Sequence, residues 1–218
     1  MSVFVIIFRA VQNIAAILLA AGRSQRMGAF KPLLPFGNKS VIETCIDNLK
    51  SAGVDQIVVV VGHRAAEVRQ HLNHHKVSFA LNPRPESEMS ASIACGIQKV
   101  PTSTKAALIA LVDHPAVSVE VITALIEKWK AGARLIIPQF DGRGGHPVLI
   151  DLSLREELLR VDPTRGLRAL FEAHQSEVSR LPVPSPFVAR DMDTWEDYVR
   201  LHTEFFGKPP AIKPSSQG

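Results

Sequence analysis

From Ala15 the chain alternates short apolar runs with amphipathic stretches almost to its end, and this alternation constrains the fold more than any other feature. The runs are IAAILL (14–19), QIVVVV (56–61), VSFAL (77–81), AALIALV (106–112), RLIIP (134–138), PVLI (147–150) and VSRLPV (178–183). Several are continuous rather than alternating, as strands covered on both faces require. Strands separated by helices read as a parallel sheet, so the pattern predicts an α/β fold. It is a Rossmann-like, doubly wound, mostly parallel sheet with helices on both faces.

The helices announce themselves by their caps. Ser40 with Glu43 three residues later makes a capping box, and Gly53 closes that helix. Further helices are expected at about 64–74, 90–99, 119–131, 152–160, 166–174 and 194–205, the last with Thr194 as N-cap and Glu196 and Asp197 in its first turn. No repeat or linker divides the 218 residues, which predicts one domain over 14–206, an N-terminal extension over 1–13 and a disordered tail over 207–218. Apolar residues make up 46% and charged residues 21%, which excludes a disordered or fibrous chain.

The net charge is +4, but the basic residues are scattered instead of gathered into runs, so neither a nucleic acid nor a membrane is expected as partner. Cys45 and Cys95 lie far apart in helical patterns with no zinc spacing, and read as buried thiols of a reducing compartment. The start, MSVFVIIFRAVQN, lacks the basic region of a signal peptide, and a cytoplasmic protein is expected.

In an open α/β sheet, ligands bind beyond the carboxyl ends of the strands. Four places there hold chemistry-bearing residues. After the first run, Ala20, Ala21 and Gly22 let a ligand approach the backbone, and Arg23, Arg26 and Lys31 place three cations around the turn, a composition suited to polyphosphate. The stretch is neither GxGxxG nor GxxxxGK[ST], and a tight turn with solvated basic residues has the same composition. Second, Asp113 ends a strand, where a carboxylate can hold Mg2+ against phosphate oxygens, although a lone Asp there also serves as a cap or turn residue. Third, Asn82 and Pro83 follow a strand, and MSAS (89–92) opens a helix able to meet an anion; Ser90 reads equally as an N-cap. Fourth, Gly142, Gly144 and Gly145 form a flexible loop presenting His146 at the entrance to a strand. Asp193 reads either as a site carboxylate or as a charge at a helix N-terminus. HLNHH (71–75) has metal-ligand spacing but reads as a solvated helix end, and His63 and Arg64 follow another strand without being singled out.

The segment LAAGRSQRMGAFK (19–31) resembles the LAAGxSxRMGxxK signature of the molybdenum cofactor cytidylyltransferases, within the MobA-like nucleotidyltransferases. Leu19, Ala20, Ala21, Gly22, Ser24, Arg26, Met27, Gly28 and Lys31 match. The resemblance implies that this loop, with Arg23, wraps a nucleoside triphosphate and that Arg26 and Lys31 meet its phosphates. It favours CTP, because the related guanylyltransferases carry glycine at the position of Ala21. VDHP resembles a DQP segment whose aspartate binds metal, which assigns Asp113, with His114 replacing the usual glutamine. The stretch 82–92 resembles NP…GMSSS, implying base and ribose contacts from Asn82, Pro83, Ser90 and Ser92, with Glu88 and Ala91 departing from the pattern. GHPV implies acceptor binding by His146, and DMDTWEDY resembles DIDTPEDY, implying that Asp193 completes the metal site. DPTRGLRAL resembles a GDxGAR segment only loosely, and Arg165 and Arg168 receive no role.

The implied activity is a Mg2+-dependent transfer of CMP from CTP to the terminal phosphate of a molybdopterin-type cofactor, with release of pyrophosphate and catalysis by Arg26, Lys31 and Asp113. A molybdoenzyme or its chaperone would then receive the product. Such a phosphate nucleophile is already ionised at pH 7, which fits a chain offering cations and carboxylates but no Ser/His/Asp arrangement. Two alternatives are a transferase of the same fold using GTP or a sugar phosphate, and a nucleotide-binding module without turnover.

Overall fold

The computed structural model describes residues 13–84, 89–162 and 164–212. In chain order the elements begin with strand β1 (Ile14–Ala20), a hairpin of β2 (Pro35–Phe36) and β3 (Lys39–Ser40), helix α1 (Val41–Ser51), β4 (Gln56–Val61) and α2 (Ala65–His71). There follow β5 (Ser78–Leu81), α3 (Met89–Lys99), β6 (Ala106–Leu111), α4 (Val119–Lys130), β7 (Leu135–Phe140), β8 (Arg143–Gly144) and β9 (Val148–Asp151). The chain ends with α5 (Arg155–Leu159), α6 (Leu167–Ala173), β10 (Val178–Pro182) and α7 (Trp195–Phe206). Among the described residues no helix is long and apolar enough to cross a membrane.

The main sheet has the order β10-β7-β9-β6-β1-β4-β5, with β8 paired to β7. β1 runs parallel to both β4 and β6, and β4 parallel to β5. β9 is antiparallel to β6 and to β7, and the short β8 is antiparallel to β7, while the other pairings are parallel, so the sheet is mixed. The chain leaves β1 for β4 on one side and later returns past it to β6 on the other. That reversal opens a crevice beyond the carboxyl end of β1, the place where such sheets take ligands.

Every residue of β1 is buried, which explains its unbroken apolar run. Ile14, Ala16 and Leu18 face one core layer with Val41, Ile42 and Ile46 of α1 and Ile122 and Leu125 of α4. Ala15, Ile17 and Leu19 face the other, with Ile93 and Ile97 of α3 and Leu158 of α5. Burying each large aliphatic side chain stabilises the fold by about 1.5–3 kcal/mol, so a polar residue anywhere in β1 would have no tolerable face.

The predicted caps form. Ser40 accepts from the Glu43 backbone N–H while the Glu43 carboxylate accepts from the Ser40 N–H, and Thr194 and Asp197 repeat the arrangement at α7. Past α1, Gly53 takes φ 86° and donates to the Lys50 carbonyl. Several expectations need correction. The helix expected at 64–74 ends at His71, and the one expected at 152–160 is a 3-10 turn, Leu152–Leu154, followed by the short α5. Gly142 belongs to no floppy loop. Asp141 and Gly142 both take positive φ between β7 and β8, a two-residue hairpin turn of the Asp-Gly kind. Gly145 is packed so closely that a Cβ would lie 2.0 Å from the Val188 carbonyl oxygen. Cys45 is buried as expected, whereas Cys95 is only half-buried. The expected extension lies outside the described residues except for Asn13, whose carbonyl accepts from Lys105 and Ala106. The expected tail is described as far as Ile212, with Gly207 closing α7 in the left-handed region.

Candidate functional site

The sequence reading places ligands beyond the carboxyl ends of the strands, and the structure has a cavity of about 500 Å3 there. Its walls are Leu19 to Arg26, Lys31 and Pro32 from the segment after β1, Met89 and Ser92 from α3, Leu111 to Asp113 from the end of β6, and Asp193 ahead of α7. The volume lies within the ordinary range of small-molecule sites.

The segment after β1 is folded, not slack. Ser24 takes φ 54°, uncommon for a residue with a side chain, and starts a short 3-10 turn that Gly28 ends at φ 66°. Its Oγ accepts from the Lys31 backbone N–H at 3.2 Å, joining the two ends of the loop. A Cβ at Gly22 would point into open space, so this glycine keeps the backbone approachable from the cavity.

At the floor, Lys31 holds two carboxylates together. Its Nζ donates to Asp113 Oδ2 at 3.2 Å and to Asp193 Oδ1 at 3.1 Å, although the residues are 82 and 162 positions away. The ammonium is nearly buried, with 9% of its side chain exposed, so these bonds are little screened. Arg26 reaches Asp193 Oδ2 at 2.9 Å from the rim, where its side chain is 74% exposed. Burial pushes the Asp113 carboxyl up, but the His114 hydrogen bond and the Lys31 charge outweigh it and hold it well below the usual carboxylate range. Asp113 is therefore a stable anion at every physiological pH.

These residues fit a divalent cation. Two carboxylates converge on one positive centre, now an ammonium, and a hard cation of the magnesium kind needs only one or two carboxylates plus phosphate oxygens and water. Among the described residues no group of three His, Cys, Asp or Glu side chains could hold a metal alone, so phosphate would have to complete the coordination.

Of the residues singled out from the sequence, Leu19, Ala20, Ala21, Gly22, Arg23, Ser24, Arg26, Lys31, Ser92, Asp113 and Asp193 line this cavity. Gly28, Asn82, Pro83 and Ser90 do not. Asn82 is buried and donates from Nδ2 to Ser92 Oγ at 2.9 Å, so it acts on the cavity through Ser92. Ser90 is not an N-cap, because it lies inside α3, after Met89. His146 stands apart from this cavity, its ring 5.7 Å from that of His114. Desolvation and the neighbouring His114 push its pKa down to about 4 against the pull of Asp113. The HLNHH segment is not simply solvated, since His71 and His75 turn onto Glu43 at 3.1 and 3.4 Å. The sequence reading missed Gln25, Pro32, Met89, Leu111 and Val112 as wall residues; Met89, 46% exposed at a helix start, carried the clearest signal.

A mixed α/β sheet with a cavity of small-molecule size at its switch point, cationic on one wall and carboxylate at its floor, suits nucleotidyl transfer. The chain belongs to the MobA-like NTP transferase domain family, whose pattern it matches over residues 16–178. It is 25% identical over 188 residues to the molybdenum cofactor cytidylyltransferase of Escherichia coli, covering 85% of this chain and 94% of the relative. It is 28% identical over 196 residues to the nicotine blue oxidoreductase of Paenarthrobacter nicotinovorans, covering 86% and 96%. Among solved structures, Rv0371c of Mycobacterium tuberculosis superimposes with a TM-score of 0.78 at 27% identity over 87% of this chain and 97% of its own; it has also been solved in complex with manganese.

Proposed function

We propose that this protein transfers CMP from CTP to the terminal phosphate of a molybdopterin-type cofactor, releasing pyrophosphate. The observation that carries this reading is the Lys31 ammonium held between Asp113 and Asp193 in the cavity whose wall residues 20–22 also form. The identity to the E. coli cytidylyltransferase and Ala21 within the LAAG segment support CTP and this acceptor.

In this reaction an acceptor phosphate oxygen attacks the α-phosphorus, and the bond from that phosphorus to the β-phosphate oxygen breaks, its electron pair leaving on pyrophosphate. Positioning two polyanions and stabilising the leaving charge supply most of the acceleration. The N–H groups of residues 20–24 receive phosphate oxygens. Lys31 and Arg26 meet the β and γ phosphates, exchanging part of their pairing with Asp113 and Asp193 for pairing with the nucleotide. Asp113 and Asp193 would hold Mg2+, which when bound neutralises charge at the α-phosphate. Ser92, oriented by Asn82, faces the nucleoside together with Met89. No general base is needed, since the attacking phosphate is ionised at pH 7.

Pyrophosphate release is the assay, with CTP, GTP and ATP, each with Mg2+ and with or without purified molybdenum cofactor. Release only with CTP plus cofactor is the expected result; turnover with another nucleotide or a sugar phosphate would reassign the substrates. The 28% identity to nicotine blue oxidoreductase favours a second reading, a redox enzyme on this fold. Redox turnover of nicotine blue without pyrophosphate release would select it.

A further inference from the structure

We propose that His114 is a positioning residue: it fixes the Asp113 carboxylate so that one oxygen stays turned to the cavity as nucleotide and metal enter. The inference rests on the nucleotidyl-transfer reading above and adds a role for a side chain that reading leaves unused.

The two oxygens of Asp113 have different partners. Oδ2 accepts from Lys31, and Oδ1 accepts from His114 Nδ1 at 2.9 Å. An ionised carboxylate has no proton to give, so the ring nitrogen is the donor. The two bonds differ in permanence. The Lys31 ammonium is shared with Asp193 and lies on the wall of the cavity, so incoming phosphates compete for it. His114 is 8% exposed and is not a wall residue, so ligands in the cavity leave its bond intact.

The backbone behind His114 is anchored as well. Its N–H donates to the Leu111 carbonyl at 3.2 Å, and its own carbonyl accepts from Val117 at 3.3 Å. Asn48 of α1 donates to the carbonyls of Pro115 and Val117 at 3.2 and 2.9 Å, pinning the segment to the helix below. The His146 ring lies beside that of His114, and its backbone N–H donates to Val188 at 2.8 Å. The imidazole therefore has a fixed place, and through it so does the plane of the Asp113 carboxylate. Outer partners that orient a ligating carboxylate commonly set metal affinity by about 10–100-fold.

Two substitutions separate the donor from the ring. His114→Phe keeps a ring without a donor, and His114→Asn keeps an N–H near the Nδ1 position without the ring. Binding of Mn2+ is read by electron paramagnetic resonance at saturating CTP, and binding of CTP without metal by calorimetry. The expected result is Mn2+ binding weaker by on the order of 10-fold or more in His114→Phe, near-native binding in His114→Asn, and metal-free CTP affinity unchanged in both. Native Mn2+ binding in His114→Phe would overturn the inference, as would equal losses in both variants or parallel loss of metal-free CTP binding. Should His114→Phe not fold, His114→Leu replaces it with the same expectation. If the unsubstituted protein binds no Mn2+ with CTP, the nucleotidyl-transfer reading fails first and the inference with it.

Discussion

At Asp113 two opposing effects meet, and the outcome decides the chemistry. Burial alone raises the pKa of the carboxyl, while His114 and Lys31 reverse that tendency and keep it charged. Replacing Asp113 by Asn leaves the shape and removes the charge. We expect transfer to fall by at least about 100-fold, since a charge is lost where the transition state needs it, while CTP binding falls far less. Stopped-flow chemistry and equilibrium CTP binding on the same variant check this; equal losses in the two would contradict a catalytic role. Asp113 was legible because a carboxylate ending an apolar run stands where α/β sheets bind ligands. Its union with Asp193 and Lys31 was not legible from spacing alone, because no local pattern encodes contacts across 82 and 162 residues.

The elements that carry these residues are held by caps and by close packing. Glu43 shows the capping effect. Burial raises its pKa, but hydrogen bonds from the Ser40 side chain and backbone and from His71 outweigh this and lower it from 4.5 to about 2. The unfolded chain therefore takes up the proton first as pH falls, so the stabilisation is complete above 4.5 and lost as pH falls toward 2. The loss should be on the order of 2 kcal/mol, and Glu43→Gln should remove most of that pH dependence, as measured by urea unfolding across the window. A variant as acid-sensitive as the native chain would contradict this assignment. Close packing is clearest at Gly96 of α3, where a Cβ would lie 2.4 Å from Ile17 Cγ2 and 3.1 Å from Val60 Cγ2. Both partners are buried β-branched side chains that cannot swing aside. Gly96→Ala gains about 1 kcal/mol of helix propensity, yet overpacking of about 1–3 kcal/mol should leave it destabilised, with α3 and Ser92 displaced from the cavity. A higher melting temperature would show that the core yields instead. The capping motifs were legible because a capping box spans four residues, whereas the hairpin of β2 and β3 was not, since two-residue strands show no period.

Across the whole molecule, the topology was readable because continuous apolar runs report strands covered on both faces. The antiparallel insertion of β9 was not, because a run buried on both sides carries no sign of its direction. The same limit explains His146. Its sequence neighbourhood placed it at a strand entrance, but whether that strand brings it into the cavity or behind Asp113 depends on pairing across the sheet. The C-terminal helix shows how distant parts complete the site. The Tyr198 hydroxyl donates to the Pro35 carbonyl at 2.6 Å, and Phe36 packs on His202, Phe205 and Phe206, fastening α7 to the hairpin just beyond Lys31. Tyr198→Phe should cost about 0.5–1.5 kcal/mol by removing this hydrogen bond, and loosening this clasp should weaken nucleotide affinity through Asp193, which calorimetry with CTP would reveal. Unchanged CTP binding would confine the clasp to stability. The central claim, that this cavity passes a nucleotidyl group between two phosphates, is tested most directly with CTP labelled at its α-phosphorus, supplied with Mg2+ and molybdopterin cofactor. Label appearing in the cofactor with the native protein, and absent with Asp113→Asn, is the result predicted; label that stays in CTP, or emerges only as free CMP, would contradict the account.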